Sequence, residues 1–268
     1  LLDNADDKLQ LVDPATSTVT QTVPLPPNQP QVFLSQDNVV IVAAVTGQVW
    51  MTPIQQIATF NSQSAPTLSL GPNVVASIDS AGTMFVFSPT TKRVDRIEPD
   101  TSQAVVGTDD LSLPVKHTFS ITSVDGQWAV LDETTSRVYV AGASASLRGT
   151  PAAKTPAIQQ ASATGDRILV AGSTGLVALS LGASSPTTLV SGKSGTPARP
   201  MSANGCDYAA WTGGQAWRYC TGDATAGTTM PLSHTSTGMK LVLRSIGSRV
   251  VLNDSHSGAT WAVQSDGQ

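Results

Sequence analysis

The chain has 268 residues, of which 40% are hydrophobic and 13% charged, and its formal net charge is −4. This balance argues against nucleic-acid binders and basic membrane-surface proteins, which need clustered Lys and Arg. No run of about 18 apolar residues occurs, so we expect no membrane span within the chain. The hydrophobic fraction is sufficient for a folded core, which argues against disorder.

Residue usage predicts an all-β protein. Ser and Thr together number 62, Gly 22 and Pro 17, whereas Lys occurs only six times. β-Branched residues and turn residues favour short strands with tight connections. No stretch has apolar residues at helical spacing over three turns, so no helix is predicted.

One pattern recurs along the chain: an apolar strand, a short turn and a second apolar strand that often carries an aromatic residue. It occurs seven times, at 1–13, 38–52, 73–88, 126–142, 166–181, 206–220 and 248–264. The second strands align at Gln10, Trp50, Phe85, Tyr139, Val177, Trp217 and Trp261, with successive spacings of 40, 35, 54, 38, 40 and 44 residues. A period near 40 residues is typical of a four-stranded propeller blade. The aromatic residues are expected to pack between blades.

Weaker outer strands complete each unit. We place leading strands at 31–35, 66–71, 119–124 and 240–245, and trailing strands at 18–25, 92–98 and 187–192. A single sheet cannot bury both apolar faces, whereas sheets stacked in a ring cover one another. The sequence therefore predicts a single β-propeller domain over 1–268, with seven four-stranded blades that are incomplete at both ends. Six or eight blades, or two stacked sheets, remain as alternatives.

The 54-residue spacing predicts a surface insertion at about 99–117. Insertions in repeat folds map to surface loops, where recognition is often located. The insertion contains Asp100, Asp109 and Asp110, which are the candidate ligand-binding residues. A short extra strand at 103–106 that covers a sheet edge is an equal alternative.

The two cysteines, Cys206 and Cys220, flank one predicted hairpin. Counting outward from its turn at 212–215 puts them opposite each other or one step away, which suits a cross-strand disulfide. Closing a loop of about 15 residues stabilises the fold by roughly 3 kcal/mol. Two buried reduced thiols are the alternative. A disulfide would indicate an exported protein.

No motif in the chain predicts catalysis, a metal or a cofactor. The sequence lacks zinc-binding spacings, a nucleophile elbow and a phosphate-binding loop, so we expect a protein that is not an enzyme. The alternative is a carbohydrate-active hydrolase or lyase with paired carboxylates at the mouth of the channel. Asp79, Asp132 and Asp254, at hairpin turns, are the candidates for that role.

The turn Asp13-Pro14-Ala15-Thr16 and the segment 253–268 carry a resemblance. The sequences of these two segments are similar to the N-terminal, propeller-like region of large actinobacterial surface proteins. Those proteins bear immunoglobulin-like or fibronectin type III arrays. The resemblance implies a non-catalytic binding or scaffold module at the cell envelope, tethered to a membrane in the full-length protein. We expect another protein or a cell-wall polysaccharide as the partner. As an isolated domain the chain is expected to be a monomer, and a passive spacer remains an alternative.

Overall fold

The computed structural model describes residues 2–3, 6–28, 30–101, 104–222, 227–236, 238–247 and 249–263. In these ranges the secondary structure consists of 26 β-strands and one 3₁₀ helix at Ile54–Thr59, which confirms the all-β prediction. The chain divides into two compact units, Leu1–His117 (unit 1) and Thr118–Gln268 (unit 2).

Unit 1 contains three antiparallel sheets in chain order. Sheet 1 contains β1 (Leu2–Asp3), β2 (Lys8–Asp13) and β3 (Thr18–Pro24). Sheet 2 contains β4 (Gln31–Leu34), β5 (Asn38–Ala43), β6 (Gln48–Pro53) and β7 (Leu68–Ser69). Sheet 3 contains β8 (Val75–Ile78), β9 (Met84–Ser88), β10 (Arg93–Ile97) and β11 (Val105–Asp110).

Unit 2 contains four more antiparallel sheets. Sheet 4 contains β12 (Phe119–Val124), β13 (Gln127–Asp132), β14 (Arg137–Val140) and β15 (Ala143–Ser146). Sheet 5 contains β16 (Ala157–Ile158), β17 (Arg167–Gly172), β18 (Gly175–Ser180) and β19 (Thr187–Ser191). Sheet 6 contains β20 (Met201–Ala203), β21 (Cys206–Trp211), β22 (Gln215–Cys220) and β23 (Thr228–Pro231). Sheet 7 contains β24 (Leu241–Ile246), β25 (Arg249–Asp254) and β26 (Thr260–Ala262).

The seven sheets correspond to the seven predicted blades. Within the described residues the first and the last sheet have three strands and the other five have four. In every sheet, strands that are consecutive in sequence pair with each other. The repeat pattern therefore predicted both the number of sheets and the shorter sheets at the two ends.

The third sheet is shifted by one strand from its prediction. The segment 73–88 supplies the first two strands of the sheet, β8 and β9, and not its central pair. The segment 66–71, predicted as the leading strand, instead contains β7, which pairs with β6 of sheet 2. Phe85 therefore lies on the second strand of its sheet, whereas it was predicted on the third. This shift lengthens the spacing from Phe85 to Tyr139.

The predicted insertion at 99–117 is wrong for its central part. Residues 105–110 form β11, which pairs with β10 from Arg93↔Asp110 to Ile97↔Val105. They are the outer strand that the shifted sheet requires. The alternative of an extra edge strand at 103–106 is closer to the structure, although Gln103 lies outside the described residues.

Both faces of the inner strands are buried, and alternate residues join different cores. On β5, Ile41 belongs to a buried cluster with Trp50, whereas Val42 belongs to a cluster with Met84 of sheet 3. Successive side chains of a strand point to opposite faces. The apolar β-branched run of β5 therefore lets sheet 2 bury both of its faces, which a single isolated sheet could not do.

The same alternation occurs in unit 2. On β17, Val170 shares a buried cluster with Leu131 of sheet 4, and Leu169 shares another with Trp217 of sheet 6. Of the five aromatic residues predicted between sheets, Trp50, Phe85 and Trp217 are buried, while Tyr139 and Trp261 are half-buried.

Two hairpins have two-residue turns that can be recognised from the sequence. Asp125-Gly126 connects β12 to β13, and Asn204-Gly205 connects β20 to β21. All four residues have a positive φ, between 50° and 74°. A two-residue turn of this kind needs φ > 0 at both positions, which Asn, Asp and Gly tolerate best.

Candidate functional site

Asp100 lies in the β10–β11 connection, but its carboxylate is used within the fold. It accepts hydrogen bonds from Asn38 Nδ2 at 2.8 Å, Ser35 Oγ at 2.9 Å and the backbone amides of Asp37 and Gln36 at 3.1 and 3.2 Å. Desolvation opposes ionisation, yet the hydrogen bonds outweigh it and lower the pKa of Asp100. This residue thus fastens the β4–β5 turn to sheet 3.

Asp109 and Asp110 are exposed residues of the edge strand β11. They pair through the backbone with Val94 and Arg93 of β10. The structural environments therefore differ: Asp100 lies in a connection and is hydrogen-bonded within the fold, whereas Asp109 and Asp110 lie on an exposed strand. The three candidate binding residues do not form one loop.

The carboxylates proposed for a hydrolase each bind atoms of their own turn. Asp79 accepts hydrogen bonds from the amides of Ala81 and Thr83 at 2.9 and 3.0 Å. Asp132 accepts one from the amide of Thr135 at 3.1 Å. Short polar side chains that bond nearby amides stabilise turns, so these two carboxylates act in turn formation.

Asp254 has the most complete set of donors. The Ser257 hydroxyl and the amides of Lys240 and His256 donate to its carboxylate, the two amides at 2.8 and 3.0 Å. The Ser257 hydrogen bond is the largest cause of a pKa well below the ordinary value for Asp254. The residue is buried, and the donors hold its carboxylate in the ionised form.

The predicted disulfide is present. Cys206 and Cys220 are joined in sheet 6, where they are direct partners in the register of β21 and β22. Their Cα atoms lie 3.9 Å apart. A disulfide indicates an oxidising compartment and not the reducing cytosol.

A polar cleft adjoins this disulfide in unit 2. It has a volume of about 130 Å³ and lies between the β16–β17 connection and the β20–β21 turn. Its lining includes Asp166, Arg167, Asn204, Cys206 and Asp207. We call this recess the disulfide cleft.

An ion pair holds the two walls of the disulfide cleft together. Arg167 donates from Nε, at 2.9 Å, and from Nη2 to the same oxygen of Asp207. Ser202 Oγ donates to the other oxygen at 2.6 Å. The Asp207 side chain is only 7% exposed, whereas that of Arg167 is 27% exposed and lies 5.5 Å from the centre of the Tyr219 ring. The cleft therefore presents a fixed, partly accessible guanidinium.

Arg199 is a second cation that the sequence analysis missed. It donates to the backbone oxygens of Ile158, Gln159 and Ile121 at 3.1, 2.9 and 3.3 Å. Desolvation lowers the pKa of its guanidinium, and the charge of Glu133 opposes that shift. Since its donors are directed to strand carbonyls of sheets 4 and 5, its role is to connect these sheets.

The sequence separation of these contacting residues shows how the contacts could have been predicted from the sequence. Arg167 and Asp207 are 40 residues apart, and Trp211 donates from Nε1 to the carbonyl of Gly172, 39 residues away. Both separations are close to the 40-residue spacing of these two repeats. A search for opposite charges at equivalent positions of successive repeats would have identified the pair.

In the described part of the chain, no group of three or more His, Cys, Asp or Glu side chains is arranged to hold a metal ion. None of the described helices has the length and apolar character needed to cross a membrane.

Comparisons with known proteins place the fold. No family model matches the chain, and no curated protein matches its sequence. Among solved structures, a catalytically inactive virginiamycin B lyase from Staphylococcus aureus with quinupristin has a TM-score of 0.63 at 11% identity, covering 93% of this chain and 85% of that one.

Two further structures are similar. BamB from Moraxella catarrhalis has a TM-score of 0.56 at 17% identity, covering 96% of this chain and 76% of that one. Apo AztD from Citrobacter koseri has a TM-score of 0.57 at 12% identity, covering 98% and 81%. At these identities the likeness concerns the fold alone. With the seven sheets, it confirms the predicted β-propeller.

Proposed function

We propose that the chain is a non-catalytic recognition module that works outside the cytoplasm in a cell-surface protein. Its partner is another protein or a cell-wall glycan, bound by loops at the ends of the sheets. The disulfide cleft carries this proposal, because it combines a rigid wall with exposed polar groups. Recognition sites are commonly loops positioned by a rigid scaffold.

The fixed walls of the disulfide cleft support binding without a large conformational change. The disulfide joins β21 to β22, and the Arg167–Asp207 pair joins sheet 5 to sheet 6. Asp166 is exposed beside this pair. A site whose groups are already held in place loses less conformational entropy when it binds.

The turn carboxylates support the absence of catalysis. General acid–base chemistry on a glycosidic bond needs two carboxyl groups that flank one bond and have separated pKa values. Asp79, Asp132 and Asp254 instead accept hydrogen bonds from their own turns. The proposed location in the cell envelope rests on the disulfide, and the membrane tether rests on the resemblance to actinobacterial surface proteins.

Co-sedimentation with isolated bacterial envelope tests this function. The wild type is compared with Asp166→Lys, which reverses an exposed charge of the cleft, and with Asp110→Lys, a matched reversal on the β11 edge. We expect Asp166→Lys to weaken retention at least about fivefold, because charge complementarity governs such contacts, and Asp110→Lys to leave it unchanged.

Three results would contradict the proposal. No retention by either the protein or the polysaccharide fraction of the envelope would favour a passive spacer. Loss of retention in Asp110→Lys alone would move the binding surface to β11. Release of new reducing ends from the polysaccharide, absent in a heat-denatured control, would favour the hydrolase.

A further inference from the structure

A second recess lies in unit 1 and differs in chemistry from the disulfide cleft. Its volume is about 370 Å³, against about 130 Å³ for the cleft. Its lining includes Asn28, Gln48, Gln63, Pro26 and Trp50, and none of its twelve lining residues is charged. We call it the amide groove. Its volume is in the range of sites for small ligands.

The floor of the amide groove is held in place. Trp50 is 4% exposed, and its Nε1 donates to the carbonyl of Ser64 at 3.0 Å. The Phe60 ring meets the indole edge-to-face, with 6.1 Å between centroids. The exposed Pro27 and the half-buried Pro66 add accessible apolar surface to the lining.

Three side-chain amides belong to the same lining, those of Asn28, Gln48 and Gln63. The Gln48 Oε1 accepts a hydrogen bond from the Thr46 hydroxyl at 3.3 Å, whereas its Nε2 has no partner among the described residues. The side-chain amides of Asn28 and Gln63 likewise have no described protein partner. Their backbones are positioned, since the amide of Asn28 donates to Asp7 at 3.1 Å and that of Gln63 to Asn61 at 2.9 Å.

We infer that the amide groove binds a neutral, N-acetylated oligosaccharide. A side-chain amide offers both donors and an acceptor, which match the N–H and C=O of an acetamido group. The accessible proline rings of the lining, Pro27 and Pro66, suit the methyl group and the C–H face of a sugar ring. An ionic ligand would lose hydration without meeting an opposite charge in the lining, which is costly.

This inference does not rest on the role of the disulfide cleft, because the two recesses share no residue. A proline-rich peptide is the competing ligand for an aromatic and proline surface. Such peptides dock on exposed aromatic faces, whereas the Trp50 indole is almost entirely buried and the amides are accessible. The exposed chemistry therefore favours the sugar.

Isothermal titration of the full chain with chitotetraose tests the inference. Cellotetraose, which lacks acetamido groups, and a ten-residue polyproline peptide are titrated in parallel. We expect saturable binding of chitotetraose only. Gln48→Ala combined with Gln63→Ala should weaken it by at least about tenfold, as expected for the loss of two hydrogen-bonding groups. Gln55→Ala, an exposed glutamine outside the groove, should leave it unchanged.

Other variants keep the test decisive. Asn28→Gly removes one amide and retains the positive φ of 73° at this position. The single Gln63→Ala change alters only an exposed side chain, so it serves if the double variant does not fold. Asp166→Lys should retain chitotetraose binding even where it loses envelope binding, which separates this inference from the proposed function. No chitotetraose binding, equal cellotetraose binding, polyproline binding, or equal loss in Gln55→Ala would overturn it.

Discussion

Replacing Asp207 with Ala tests whether the ion pair of the disulfide cleft holds sheets 5 and 6 together. In the wild type, Arg167 Nε at 2.9 Å, Arg167 Nη2 and Ser202 Oγ at 2.6 Å donate to the Asp207 carboxylate. The variant loses these hydrogen bonds and leaves a guanidinium that is only 27% exposed without its counter-charge.

The expected cost lies between two known limits. Breaking a buried ion pair from one side costs about 3–5 kcal/mol, whereas an exposed pair is worth about 0–1 kcal/mol. Asp207 is close to the buried limit and Arg167 is half-buried, so we expect about 2 kcal/mol. For a protein of this size, that lowers Tm by roughly 4–8 °C.

Calorimetry at neutral pH measures this change, and two variants control it. Glu98→Ala breaks the Arg96–Glu98 pair, which has a 2.9 Å contact but side chains 46% and 34% exposed, and should lower Tm by no more than about 4 °C. Arg167→Met with Asp207→Leu removes both charges and should cost less than Asp207→Ala alone. A Tm shift for Asp207→Ala as small as that for Glu98→Ala would refute the reasoning.

Three further predictions concern the stability of the fold. Changing Cys206 and Cys220 to Ser should lower the free energy of unfolding by roughly 3 kcal/mol, measured by urea titration; an unchanged midpoint would contradict a stabilising disulfide. Because the folded pKa of Asp254 is lowered, its stabilising effect is present above its unfolded pKa near 4 and is lost as pH falls. The Tm difference between wild type and Asp254→Asn should therefore shrink from pH 7 to pH 3, and a constant difference would exclude this linkage. Gly47→Ala should destabilise by about 3 kcal/mol or more, because its Cβ would lie 1.7 Å from a backbone oxygen, whereas Gly126→Ala, with nothing within 4 Å, should cost only about 1 kcal/mol from its positive φ. Equal thermal shifts in the two glycine variants would disprove the close approach.

The fold was predictable because its signals are local. Continuous apolar runs on β5 and β17 identify strands whose two faces are both buried, and Asp125-Gly126 specifies a tight turn. The strand positions predicted for sheet 3 were wrong because a hairpin of the first and second strands has the same sequence pattern as a hairpin of the two central strands. Only the pairing of β11 with β10 distinguishes them.

The site was less predictable because its contacts join different repeats. Asp100 was predicted as a candidate ligand-binding residue, whereas its carboxylate contacts Ser35 and Asn38, more than 60 residues away. The sequence shows an Asp in either case, so it does not distinguish a carboxylate that stabilises the fold from one that binds a ligand. The disulfide was the exception, because Cys206 and Cys220 face each other within one hairpin and counting from its turn suffices.

Recovery of envelope material after binding tests the central claim, recognition without chemistry, most directly. The chain is incubated with isolated envelope fractions, the bound ligand is eluted, and its mass is compared before and after contact. We predict saturable retention of one class of ligand with an unchanged mass, at a stoichiometry set by the amount of protein. Ligand altered in excess of the protein present, or no retention at all, would contradict it.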